Sequence, residues 1–166
     1  MVLWYHLYLD VWRICISHKH YGFIFQKIVS WVLSETLEAS HVVKCIEKAK
    51  QSRHIENPLI FHCDRGCQYV SEAFHKATAG MIHSYSKKAY PWDNACIESF
   101  HALLKRECIN RFKIFNYTHA YKLIFEYIET FYNTVRIHSH CGYLSPNEYE
   151  EQYLKNLETN VTNLAS

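Results

Sequence analysis

Nothing in this sequence of 166 residues approaches the run of about 18 apolar residues that a membrane-spanning helix requires, so no segment is expected to cross a bilayer. Glycine and proline are scarce, at 4 and 3 residues. No Pro/Gly/Ser-rich linker, internal repeat or low-complexity tract divides the chain, which reads as one domain long enough to bury a core. There is no C-x-x-C pair. The seven cysteines (Cys15, Cys45, Cys63, Cys67, Cys96, Cys108 and Cys141) are odd in number and scattered, which argues against a disulfide framework and a structural zinc site. Most of them read as small buried apolar residues. The opening "MVLWYHLYLD" has neither a basic leader nor a cleavage pattern, so a cytoplasmic protein is expected. Neither sign of charge dominates: at a net +2, any attraction to nucleic acid would have to come from local basic patches.

What is present is core-forming material. Apolar residues make up 49% and aromatic residues 16%, which excludes a disordered chain. Residues 2–11 and 21–34 read as strands of a hairpin turning around "SHKH". Residues 35–52 place Leu37, Val42, Val43, Ile46 and Ala49 on one helical face. "NPLIFHC" (57–63) reads as a short buried strand, followed by a short helix "SEAFHKATA" and a strand "MIHSYS". The second half is helical. Ile97, Phe100, Leu104 and Cys108 form one stripe, and Leu123, Ile124, Tyr127, Ile128, Phe131 and Val135 form another of 3.6-residue period. "SPNE" at 145–148 combines a Ser cap, Pro at the first helical position and Glu at the third, and predicts a final helix. Strands, then alternation, then helices make a layered α/β domain.

The stretch "FHCDRGCQYVSEAF" (61–74) admits three readings: a Cys/His metal site, a reactive thiol, or an aspartate placed at a strand end. Asp64 stands where the buried strand runs out, and side chains at the carboxyl ends of strands in open α/β sheets converge on ligand crevices. A turn or cap aspartate is the plainer alternative. Glu98 falls on a helix where it shares a face with Ala102 and Lys105. A carboxylate and a lysine so spaced suit a divalent cation and a phosphate side by side, although a helix glutamate is commonly no more than solvated.

Three motifs, "HCDRGCQYVSEAF", "SYSKKAYPWDNACIESFHALLKRE" and "YIETFYNTVRIHSHCGYLSPNEYE", together resemble the integrase-core domain of bacterial insertion-sequence transposases, the DDE group related to retroviral integrases. The resemblance runs from about Lys27 to Tyr153. It implies an RNase H-like (retroviral-integrase-like) α/β fold, a mixed five-stranded sheet flanked by helices, over residues 1–153, with 154–166 as a C-terminal tail. It also implies metal-dependent DNA cleavage and strand transfer with two Mg²⁺ or Mn²⁺ ions held by two aspartates and a glutamate. By motif match the second aspartate is Asp64 and the glutamate Glu98. Asp93 reads as a helix cap. Lys105 matches a basic position expected to contact DNA phosphate. Arg136 and His138 match the motif after the long helix and would either contact DNA or hold the last turn in place. In this frame the aspartate of "FHCDRGC" carries the chemistry.

The sequence departs from the family pattern in several places. For the first aspartate the candidate is Asp10, in "YHLYLDVWRI", but Trp12 and Arg13 stand where the family has Thr and Tyr. An ungapped alignment from Trp31 would place that position near Trp4 instead. Gly22 occupies a usual aspartate position and Ala89 a usual glycine. The 33 residues between Asp64 and Glu98 are slightly fewer than the family spacing, a loss expected within "FHKATAGMI". No helix-turn-helix region is recognisable, so a helix-turn-helix partner or region, DNA ends and target, and homo-oligomer assembly are the partners expected. Two functions from different classes follow: an active transposase core in the bacterial cytoplasm, or an inactive remnant that still binds DNA or dimerises.

Overall fold

The computed structural model describes residues 8–12, 26–36, 38–52, 59–63, 69, 71–87 and 95–164, with backbone alone for 8–12, 158 and 161–164. The elements in order are β1 (Tyr8–Trp12), β2 (Ser30–Ser34), α1 (Ala39–Ser52), β3 (Ile60–Cys63), α2 (Glu72–Ala77), β4 (Ile82–Tyr85), α3 (Ala95–Glu107), α4 (Tyr117–Phe125) and α5 (Pro146–Leu164). A 3₁₀ turn at Ile109–Arg111 joins α3 to α4, and a second, Ser139–Cys141, precedes α5. None of the described helices is long and apolar enough to cross a membrane.

The architecture is mixed α/β. Among the described residues the strands form two pairs: β1 and β2 antiparallel, β3 and β4 parallel. Of the hairpin expected from strands at 2–11 and 21–34, the described part is the pairing of Tyr8–Trp12 with Ser30–Ser34, Trp12 opposite Ser30 and Tyr8 opposite Ser34. Its turn lies outside the described residues.

Two apolar clusters anchor the layers. Val42 and Ile46 of α1 meet Phe61 and Cys63 of β3 and Phe74 of α2. The burial alternates along β3, with Phe61 and Cys63 inward, as a half-buried strand requires. The larger cluster joins Ile28, Trp31 and Leu33 to Phe100 and Leu104 of α3, to Ile124 of α4 and to Ile128 just beyond it. The stripe expected on α3 is therefore its core face. Four of the five described cysteines are buried, which agrees with their reading as small apolar side chains.

The second stripe holds only in part. After Phe125 the helix widens into a π segment, Glu126–Tyr132, in which the Asn133 N–H reaches back five residues to Ile128 at 3.1 Å. The wider turn shifts the phase of the inward face. Tyr132 is fully buried, while Phe131 and Val135, expected in the core, are exposed at 41% and 62%.

The last helix starts as expected. The Ser145 N–H and hydroxyl both donate to Glu148 Oε2, at 2.8 and 2.7 Å, and the Glu148 N–H returns to Ser145 Oγ at 3.4 Å. These bonds satisfy donors that a helix start leaves unpaired. Replacing Ser145 by alanine is expected to cost about 1 kcal/mol, measured by urea denaturation, with the midpoint shifted and the slope kept. α5 runs on through residues 154–164, the segment read above as a tail.

Candidate active site

Asp10 is the central residue of β1, opposite Val32 in the antiparallel register. Asp64 follows Cys63, the last residue of β3, and lies outside the described residues. The carboxyl ends of β3 and β4 are fastened together: the Ser86 N–H and hydroxyl both donate to the Cys63 carbonyl, at 3.0 and 3.4 Å. One strand position earlier, His62 Nδ1 meets Ser84 Oγ at 2.9 Å across the parallel pair. Cys63 faces the apolar cluster. Asp64 and Cys67, on which the three readings of this stretch turn, lie outside the described residues.

Glu98 sits in the first turn of α3. A carboxylate there is favoured by the positive end of the helix dipole. Its side chain is exposed, as are Ala102 and Lys105 on the following turns, so the three make one outward stripe. Among the described residues neither the Glu98 carboxylate nor the Lys105 ammonium has a hydrogen bond or ion pair. The opposite side of the same helix carries Phe100 and Leu104 into the core, which fixes the direction in which Glu98 and Lys105 point.

Arg136 and His138 are placed differently. The Arg136 guanidinium binds Glu107 through two parallel contacts, Nε to Oε2 at 2.8 Å and Nη2 to Oε1 at 2.9 Å. The Tyr127 hydroxyl donates to the same carboxylate at 2.8 Å. Hydrogen bonding from Arg136, reinforced by Tyr127 and the nearby cationic charge, holds the Glu107 carboxyl down at about 2 against the opposing effect of burial. Burial, with the Glu107 hydrogen bond, pushes the Tyr127 phenol far up. His138 is buried, with its ring edge-on to Tyr132 at 4.9 Å. Its backbone N–H donates to the Leu144 carbonyl at 3.1 Å, and its carbonyl accepts from Tyr143 at 2.9 Å. Arg136 and His138 are thus both engaged within this chain, on α3 and around the last turn.

Sequence reasoning missed Asn133. Its buried amide clamps the Ile28 backbone, accepting from the N–H at 3.0 Å and donating to the carbonyl at 2.9 Å. Its own carbonyl accepts from Asn147 at 2.9 Å. The "YNTVRIH" motif thus ties the strand region, α3 and α5 together. Glu107, for which the sequence suggested no role, is the other member missed.

Among the described residues, no three His, Cys, Asp or Glu side chains converge as metal donors. The exposed Glu98 carboxylate fits the role of one hard oxygen ligand.

Residues 79–146 match a family model described as Integrase core domain. Among curated relatives, the transposase for insertion sequence element IS904 of Lactococcus lactis subsp. lactis is 40% identical over 128 residues, covering 76% of this chain and 51% of the relative. The IS600 uncharacterized 31 kDa protein of Shigella sonnei is 35% identical over 129 residues, covering 76% and 47%. The transposase InsF for insertion sequence IS3A of Escherichia coli K12 is 34% identical over 129 residues, covering 76% and 45%. The chain thus spans about half the length of the curated relatives it matches. A chain in the cryoEM structure of the simian T-cell lymphotropic virus intasome in complex with PP2A regulatory subunit B56 gamma superposes with a TM-score of 0.60 at 16% identity, covering 85% of this chain and 47% of that one. The likeness is one of fold, the RNase H-like arrangement expected above.

Proposed function

Because this chain belongs to the integrase-core family of insertion-sequence transposases, we propose that it forms the catalytic core of a DNA transposase, cutting and joining DNA strands with Asp10, Asp64 and Glu98 as its carboxylates. The observation that carries the reading is the outward face of α3. Glu98 and Lys105 stand exposed and unengaged, whereas Glu107 and Arg136 are committed to each other. A helix that satisfies one carboxylate internally and presents another to solvent beside a lysine has a face available for a ligand.

Three carboxylates are hard oxygen donors suited to Mg²⁺ or Mn²⁺. A pair of such ions would supply activation of a water or 3′-hydroxyl and stabilisation of the leaving oxygen. The chain's own residues do the rest. Asp10, Asp64 and Glu98 would hold the ions, Lys105 would bind a DNA phosphate two turns along α3 from Glu98, and Arg136 with His138 would brace the C-terminal turn. In this reading the chain works in the bacterial cytoplasm as part of a homo-oligomer, and a helix-turn-helix region or protein supplies recognition of the element ends.

The test is Mn²⁺-dependent joining of an oligonucleotide 3′-hydroxyl to plasmid DNA. The chain supports joining and its Asp64→Asn variant does not. Equal joining by both would remove Asp64 from the chemistry, and joining by neither would favour the remnant reading.

A further inference from the structure

Beyond α3 the chain presents a second surface. Between Cys108 and Phe125 the sequence contains no aspartate or glutamate, yet it holds Arg111, Lys113 and Lys122 with Phe112, Phe115, Tyr117 and Tyr121 interleaved. The connector from α3 to α4 is pinned from beneath by Ile109, which is buried, and by Ile114, which packs on the main core. Phe112 and Phe115 consequently project outward, 52% and 64% exposed. Single exposed apolar residues need no explanation, but two phenylalanines flanking a lysine on a pinned segment form an ordered patch.

The patch is organised for flat, anionic ligands. The Phe115 ring stacks on His119 with centroids 5.2 Å apart and planes 16° from parallel. The Lys113 ammonium lies 5.8 Å from the Phe115 centroid. Arg111 Nε donates to the Arg106 carbonyl at 3.3 Å, which holds the two arginines at the same corner. The neighbouring carboxylates are engaged: Glu107 with Arg136, and Glu126 at 3.9 Å from Lys122. Cations on one face would repel a second copy of themselves but attract a polyanion, and exposed ring faces stack on any unpaired base.

We propose that Arg111, Lys113 and Phe115, with His119 beneath the ring, form a binding site for unpaired DNA. Glu98 and Glu107 are nine residues apart on α3, so the patch begins about 14 Å along the helix from the candidate active site, with Lys105 between. A strand end leaving the catalytic face would pass over Lys105 and reach the Phe115 ring. The inference rests on the DNA-joining reading above but concerns binding alone, so it can be separated from catalysis.

The experiment is fluorescence anisotropy of labelled single-stranded and duplex oligonucleotides of one sequence, titrated with the full chain in EDTA. Unpaired DNA is expected to bind more tightly than duplex. Phe115→Ala should weaken the unpaired complex about tenfold, with duplex affinity little changed and Phe115→Tyr restoring it. The double substitution Arg111→Gln with Lys113→Gln should flatten the dependence of log affinity on log salt by about 1.4 for single strands. All these side chains are exposed, and circular dichroism would verify the fold of each variant. Unchanged affinity on Phe115→Ala overturns the proposal. A changed sedimentation coefficient without a changed DNA affinity also overturns it, and assigns the patch to a protein interface. Glu98→Gln, titrated alongside, keeps the two readings apart: full DNA binding with lost joining leaves this site standing whatever becomes of the metal site.

Discussion

Replacing Arg136 by alanine is expected to destabilise the fold by about 3 kcal/mol, the largest loss of stability foreseen for a polar substitution in this protein. The substitution removes a two-point contact to Glu107 and strands a carboxylate whose side chain is only 18% exposed. Tyr127 would remain as its single strong partner. For a chain of this size a loss of that order lowers the melting temperature by roughly 6–12 °C. Arg136→Lys would recover only part, since an ammonium cannot reproduce the fork. A surface arginine serving only DNA would behave otherwise, with melting unchanged and DNA affinity reduced.

The same contact sets an acid dependence. Glu107 has its carboxyl lowered from 4.5 to about 2 in the folded chain. A depressed folded-state value means that the contribution to stability is complete above the unfolded value and is lost as pH falls from about 4.5 towards 2. Stability measured by denaturant titration should therefore decline across that window. In Arg136→Ala the decline should be shallower, because the chief cause of the depression is gone.

Much of the scaffold was legible in the chain itself. The α3 stripe of Phe100, Leu104 and Cys108 is buried as its period demands, and the "SPNE" start of α5 forms the cap its residues specify. The outward grouping of Glu98, Ala102 and Lys105 follows from helical spacing alone. The phase of the helix after Phe125 was not legible, because a widened turn inserts one residue into the period without a signature in hydrophobicity. That is why Phe131 and Val135 read as core while Tyr132 occupies it. Arg136 and Asn133 act through partners 29 and 105 residues away, which left Asn133 unnoticed and the role of Arg136 open between two alternatives. Pairing of that range is written in the fold and not in any local window.

For Glu98→Gln the expected result is the opposite of Arg136→Ala: an unchanged melting temperature and at least a hundredfold loss of strand joining. The side chain is exposed and no described residue bonds to it, so the fold has nothing to lose by its neutralisation. Surface substitutions of this kind ordinarily stay within about 0.5 kcal/mol. The activity, in contrast, would lose a charged oxygen donor to the ions that would stabilise developing charge, an effect worth several kcal/mol. Lys105→Gln should act between the two, weakening DNA binding and its salt dependence without touching stability.

Whether three carboxylates act together is tested most directly by isothermal titration of Mn²⁺ into the chain with a short duplex present, compared with Asp10→Asn, Asp64→Asn and Glu98→Gln. The account predicts measurable Mn²⁺ binding that each of the three substitutions weakens at least tenfold, with the folds intact by circular dichroism. Binding that falls with Asp64→Asn and Glu98→Gln but is indifferent to Asp10→Asn would contradict it, and would mean that the first carboxylate of an active core is missing.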